Sequence, residues 1–239
     1  MMKTDYGKLY LIPTPLGDYA PSQVLPAPVF EIICGLKTFV VEEVRTARRF
    51  LSAAGLKGQI EGLDFHELNE HTNPAEVDKL KALFANGNNV GLLSEAGLPA
   101  VADPGALLVD LCHREGIEVI PLVGPSSLML ALMASGLNGQ SFAFNGYLPV
   151  KPEQRKTALR NLEKKSSQLR QSQIFIETPY RNDALLADIL ATCSGHTKVC
   201  IAADITLPTA FIKTRTVEAW KRDIPQIGKR PCVFIILAK

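Results

Sequence analysis

The sequence predicts an α/β protein, with an N-terminal parallel α/β domain followed by a C-terminal mixed-sheet α+β domain. Three observations point there. Strand and helix signals alternate without a break over the first half of the chain. The stretch Asn89–Gly136 then holds two apolar runs, VGLLS and VIPLV, each stopped by a turn rich in small residues, Pro and Gly that opens a helical pattern. After Leu137-Asn138-Gly139 the rhythm changes, and the chain closes, from Lys198 on, with three strands and only one short helix among them.

Taken in order, residues 8–13 (KLYLIP) form a strand that runs into a proline-rich loop, and residues 24–34 form a helix. Residues 38–42 (TFVVE) read as a second strand and 45–53 as its helix. A weaker alternation over 59–68 suggests a third strand. Asn73 is placed to cap a helix with Pro74 at its first position, and Asn86-Gly87 is placed to stop it. Strands at 90–94 and 118–123 flank a helix that begins near Pro104. Beyond Gly139 come a strand (142–148), a basic helix (153–171), a strand (173–177), a helix (182–192) and strands at 198–203, 210–214 and 232–238. A strand–helix–strand series of this kind implies parallel pairing with right-handed crossovers. The domain expectation is therefore 1–123 for the parallel part and 124–239 for the mixed part.

Composition sets the bounds. A chain of 239 residues, 46% hydrophobic and 21% charged, can bury a sizeable core, and its length suits two domains. Apolar runs fall short of the ~18 residues that a membrane helix needs, and residues 1–13 lack a signal-peptide layout, so a cytoplasmic protein that avoids membranes is expected. Cys34, Cys112, Cys193, Cys200 and Cys232 are scattered, and the four histidines show no ligand spacing. Neither a disulfide framework nor a metal is expected. The net charge of +2 hides a local imbalance, because residues 151–170 carry seven basic and two acidic side chains. Lys151, Arg155, Lys156, Arg160 and Lys164 belong to this helix; they form either a solvated exterior or a surface that follows RNA phosphates.

Two nucleotide signatures are missing. No GxGxxG follows a strand, and GxxxxGK[ST] does not occur, so neither the usual dinucleotide nor a nucleoside triphosphate is indicated. Polar residues gather instead at the strand ends: Thr14; Glu42, Glu43 and Arg45; Ser94, Glu95 and Asp103; Ser126 and Ser127. In an open parallel sheet these ends share one rim, where ligands bind. Each has a structural alternative: Asp103 and Ser126 as helix caps, Glu42 or Glu43 as a partner of Arg45 or Arg48.

The segments LYLIPTPLGD, VVEEVR, FHELNE, VGLLSEAGLPAVADPG, GIEVIPLVGPSS, FNGYLP and FIETPYR, in this order, resemble the tetrapyrrole methylase superfamily of S-adenosylmethionine-dependent methyltransferases. Their wording is most similar to the bacterial small-subunit rRNA 2′-O-ribose cytidine methyltransferases, and the likeness covers nearly the whole chain. The resemblance implies a two-domain homodimer with S-adenosylmethionine in a cleft between the domains. It puts cofactor contacts on Pro13, Thr14, Pro15, Glu95, Ala96, Gly97, Leu98, Ser126, Ser127 and Pro231. The family usually has Asp at Glu95 and Thr at Leu98, and Glu-Asp-Thr-Arg where this chain reads Glu42-Glu43-Val44-Arg45. An Arg-Glu-Leu-Thr-Lys segment of the rRNA group falls near Ala202–Thr206.

The resulting expectation is methyl transfer to ribosomal RNA of the small subunit. Glu43 or Glu177 is nominated as the base, and Arg45 and Arg181 as the groups that place a phosphate. Methylation of a small tetrapyrrole-like molecule, or cofactor binding without catalysis, are the other two readings. Steep salt dependence would mark the RNA reading.

Overall fold

A computed structural model describes residues 5–239. The first four residues, part of the segment expected to lack a signal-peptide layout, lie outside the described residues. The chain divides into two compact units, residues 1–126 and 127–239.

The first unit is built on the strands β1 (Leu9–Ile12), β2 (Thr38–Val41), β3 (Asp64–Glu67), β4 (Val90–Leu93) and β5 (Val119–Pro121). They lie in the order β3-β2-β4-β1-β5, and every pairing is parallel. Between them run α1 (Ala27–Gly35), α2 (Val44–Leu51), α3 (Pro74–Lys79) and α4 (Gly105–Glu115). Strand parity assigns the faces. Ile12, Phe39, Val41 and Leu93 pack with Val29 and Ile33 of α1 and Ala47 and Leu51 of α2. Leu9, Val40, Val90 and Leu92 face the other way, with Val77 of α3 and Leu108 and Leu111 of α4. Covered on both sides, β2 and β4 are apolar at almost every position, which is why they read as short continuous runs. Gly91 is the exception inside β4: a Cβ there would stand 2.8 Å from both Ile12 and Phe39.

The second unit pairs β6 (Phe142–Tyr147), β7 (Ser172–Ile176), β8 (Lys198–Ala203), β9 (Phe211–Thr216) and β10 (Cys232–Leu237) in the order β6-β7-β10-β8-β9. Only β6 and β7 are parallel, so the sheet is mixed. The helices α6 (Pro152–Leu169), α7 (Asn182–Thr192) and α8 (Val217–Arg222) enclose a core with Phe175, Val199, Ile201, Phe234 and Trp220. The helix α5 (Ser127–Ser135) packs against β8, β9 and β10. The α/β class, with one parallel and one mixed sheet, is as the sequence predicted.

Local corrections have local causes. The strand expected over 59–68 is confined to β3, because Gly58 adopts φ +83° and Ile60–Gly62 forms a 3-10 turn. Asn73 does cap α3, in a capping box with Glu76, but the α-helix ends at Lys79. The chain continues as a 3-10 helix that Ala85 and Asn86 leave. α1 starts at Ala27 rather than residue 24 because Pro26 is its extended N-cap.

Candidate functional site

The direction of the crossovers locates the site. From β1 the chain moves to β2 and β3 on one side; from β4, beside β1, it moves to β5 on the other. The carboxyl ends of β1 and β4 therefore flank a switch point, the crevice where open α/β sheets bind ligands.

Three turns are locked together there. Thr14 and Gly97 form an isolated antiparallel bridge, with N–H···O distances of 2.9 and 3.1 Å. The buried Thr14 hydroxyl also donates to the Ser94 carbonyl. Gly97 has φ +82°, and a Cβ on it would meet Leu16 at 3.1 Å and the Pro125 carbonyl at 3.5 Å. Gly124 presses on Pro13 so closely that a Cβ would fall 2.1 Å from the proline Cβ. Ala100 and Ala102, both non-glycine residues at positive φ, lie further along the β4 turn. Asp103 holds this strained loop, accepting from the N–H groups of Ala100 and Gly105, each at 2.8 Å. It is thus a loop brace; the N-cap position of α4 belongs to Pro104.

A cavity of about 330 Å³ opens at this rim. Thr14, Pro15, Glu95 and Ala96 of the expected cofactor set line it, together with Glu43. Pro13, Gly97 and Leu98 are not in its lining; Pro13 and Gly97 instead set the packing of the turns. Ser127 begins α5, directly after Ser126. Pro231 lies in the second unit, where its carbonyl accepts from Asp204 N–H at 3.0 Å. Sequence reasoning missed Leu16, Tyr19, Thr46, Arg49, Phe50 and Ala53 of the lining. The last four had a legible signal, since residues 46, 49, 50 and 53 share one helical face.

The lining is acidic. Glu42 accepts from the Glu95 N–H at 3.1 Å. Burial pushes the carboxyls of Glu42, Glu95 and Asp103 upward; Asp103 and Glu95 add to the rise at Glu42, and Glu43 adds to that at Glu95. Glu43 goes the other way. Its carboxylate caps α2, accepting from Arg45 N–H at 2.8 Å and from the Thr46 N–H and hydroxyl, both at 2.6 Å. The Thr46 hydroxyl and these backbone N–H groups hold its pKa down. Arg45 is exposed beside it.

S-adenosylmethionine fits this chemistry. The volume is at the lower end of the usual ligand range, and Val41, Leu93 and Phe50 supply apolar wall. A sulfonium and an α-ammonium both suit a rim of crowded carboxylates. The Ser94 hydroxyl oxygen is buried with no hydrogen-bond partner among the described residues, which leaves a polar group for a ligand.

The raised carboxyls give a pH prediction. A folded pKa above the unfolded value means that the folded state holds more protons, so stability falls as pH rises through the carboxylate range. Glu42→Gln keeps the acceptor for Glu95 N–H and removes the charge. Calorimetric melting is expected to show a gain at pH 7, held by solvent screening to about 0.5 kcal/mol, that shrinks toward pH 4. A lower melting temperature at pH 7 would contradict it.

The other nominated pair lies in the second unit. The Glu177 side chain is 0% exposed. Its Oε1 accepts from Arg181 Nε at 3.0 Å, Arg181 Nη2 at 2.5 Å and Thr178 N–H at 2.7 Å. Its Oε2 is buried and has no partner among the described residues. On α6 the structure corrects one residue. Arg155 is buried, bonded through Nε to Asp188 at 2.7 Å and through Nη1 to the Val150 carbonyl at 2.8 Å, so it cannot follow a phosphate backbone. Lys151, Arg160 and Lys164 are exposed, while Lys156 is half-buried and pairs with Glu153 at 3.3 Å.

Among the described residues no helix is long and apolar enough to cross a membrane, and no group of three His, Cys, Asp or Glu side chains could hold a metal. No family model matches the chain. Solved structures of the methyltransferase CobJ (TM-score 0.63, 16% identity, 97% of this chain and 94% of that one) and of uroporphyrin-III-C-methyltransferase from Thermus thermophilus (0.54, 18%, 97% and 92%) share its fold. The ribosomal RNA small subunit methyltransferase I of Escherichia coli O157:H7 is 32% identical over 233 residues, which is 96% of this chain and 77% of that protein. Those of Haemophilus influenzae (31%, covering 98% and 79%) and Halalkalibacterium halodurans (34%, covering 92% and 73%) align similarly. With acidic turns at the switch point and this likeness along its length, the chain belongs to the ribosomal RNA small subunit methyltransferase I family of S-adenosylmethionine-dependent methyltransferases.

Proposed function

We propose that this protein methylates a ribose 2′-hydroxyl of small-subunit ribosomal RNA. The observation that carries the reading is the carboxylate-rimmed cavity at the switch point, in a chain of this family. The cofactor supplies an electrophilic methyl on a sulfonium. Pro13, Thr14, Pro15, Glu95, Ala96, Gly97, Leu98, Ser126 and Ser127 are its proposed contacts; Thr14, Pro15, Glu95 and Ala96 line the cavity, and Pro13 and Gly97 also set the packing of the turns. Pro231, from the second unit, is proposed as a further contact.

A ribose hydroxyl is a weak nucleophile and gains from a carboxylate that takes its proton. Glu43 and Glu177 are the two carboxylates proposed for that role: Glu43 is exposed but both its oxygens cap α2, whereas Glu177 keeps one oxygen, Oε2, without a partner among the described residues and is buried beside Arg181. Arg181, held by Glu177, and Arg45 orient phosphate; Lys151, Lys156, Arg160 and Lys164 follow the RNA backbone. The protein acts as a cytoplasmic homodimer.

Radiolabelled S-adenosylmethionine with small ribosomal subunits from cells lacking the endogenous ribose methylase tests this. Label is expected in the RNA, recovered as a 2′-O-methylnucleoside. Cofactor binding without RNA label would overturn the acceptor and point to a small molecule.

A further inference from the structure

One end of the second sheet carries exposed rings beside cations. Tyr180, in the turn Pro179–Arg181 after β7, is 79% exposed. Lys229 Nζ stands 5.0 Å from its ring centroid, within cation–π range. Tyr147 closes β6 opposite Ile176, one residue from Glu177, and is 57% exposed. Arg181 follows Tyr180 in the same turn. Strand directions bring the start of β10, and so Arg230, to the same end.

The platform is built before any ligand arrives. Asn182, fully buried at the start of α7, donates through Nδ2 to the Gly228 carbonyl at 3.2 Å and the Arg230 carbonyl at 2.7 Å. Asp183 accepts from the N–H groups of Ile227 at 2.8 Å and Gly228 at 3.2 Å. These bonds pin the loop that carries Lys229. The nearby acids are neutralised: Glu177 is buried against Arg181, Asp204 is buried beside Arg230 at 3.8 Å, and Asp183 is occupied by backbone N–H groups. What faces water is therefore aromatic and positive. That combination suits an unpaired nucleotide, which offers a π-face to a ring and a phosphate to a cation.

We propose that Tyr180, backed by Lys229 and flanked by Tyr147 and Arg181, stacks an unpaired base of the RNA strand. The inference rests on the reading of this protein as an RNA methyltransferase, and it adds a subsite that holds a base next to the Glu177–Arg181 pair. The stacking ring contributes affinity for any single strand, because every base has a π-face.

The test is fluorescence anisotropy with a short, labelled single-stranded oligoribonucleotide over a salt series, with calorimetry of S-adenosylmethionine as a second readout. Tyr180→Ala is expected to weaken RNA binding about 5- to 100-fold with the salt slope unchanged. Tyr180→Phe should bind like the parent. Lys229→Gln should lower the salt slope by about 0.7. Cofactor affinity should stay constant in all three, which also shows that they are folded. Wild-type RNA affinity in Tyr180→Ala, with RNA labelling intact in the parent protein, overturns the subsite alone. A parent protein that binds cofactor but no RNA overturns both the subsite and the RNA reading.

Discussion

Arg155→Met is expected to destabilise the protein by about 3–5 kcal/mol, because it leaves the Asp188 carboxylate buried without its partner. The two side chains are 6% and 15% exposed, with Nη2 and Oδ2 2.5 Å apart. Water therefore cannot readily take the place of the lost guanidinium, and the Val150 carbonyl loses a donor as well. At 2–4 °C per kcal/mol for a chain of this size, the melting temperature should fall by roughly 10 °C. The contrast is Arg160→Gln with Lys164→Gln, two exposed residues on the same helix. That double variant should melt like the parent, while the slope of log affinity for single-stranded RNA against log salt falls by about 0.7 per residue. Thermal melts and salt titrations of both proteins separate the two roles. An Arg155→Met protein that melts like the parent, or a double variant with an unchanged slope, would refute the corresponding half.

Gly124→Ala should cost cofactor affinity at least about fivefold while the fold survives, since overpacking of one methyl group typically costs about 1–3 kcal/mol. The added Cβ would lie 2.1 Å from Pro13 Cβ and 2.5 Å from its Cγ, so one turn must move. The β1 turn cannot shift alone, because Thr14 is bridged to Gly97 and bonded to the Ser94 carbonyl. Strain at one glycine is thereby passed to the cavity residues Thr14, Pro15, Glu95 and Ala96. Gly139→Ala is the control, with open space around the new methyl group. Calorimetric titration with S-adenosylmethionine reads the effect, and parental affinity in Gly124→Ala would show that the turns do not act as a unit.

Much of this was legible in the chain itself. Strands buried on both faces have no polar side to interrupt them, so VGLLS and TFVVE stood out as short apolar runs. The turns after β1 and β4 were readable because glycine and proline mark places where backbone must bend or come close, and Gly97 and Gly124 do both. Helix spacing also held part of the correction on α6, where Arg155 is in phase with the buried Leu159 and Leu162 while Arg160 falls one residue off that stripe. Its partner, Asp188, is 33 residues away on α7, and no local pattern announces a pairing at that range.

The sequence by itself determined the α/β class, most elements, the rim on which polar residues gather and the family resemblance, since each rests on local periodicity, turn chemistry or ordered motifs. Tertiary structure decided which of those polar residues are free to act. It tied both oxygens of Glu43 to the start of α2, left Oε2 of Glu177 without a donor among the described residues, buried Arg155 against Asp188, and set Lys229 over Tyr180. The physical reason is that the state of a charged or polar side chain depends on its partners and its access to water, and packing brings those partners from distant parts of the chain.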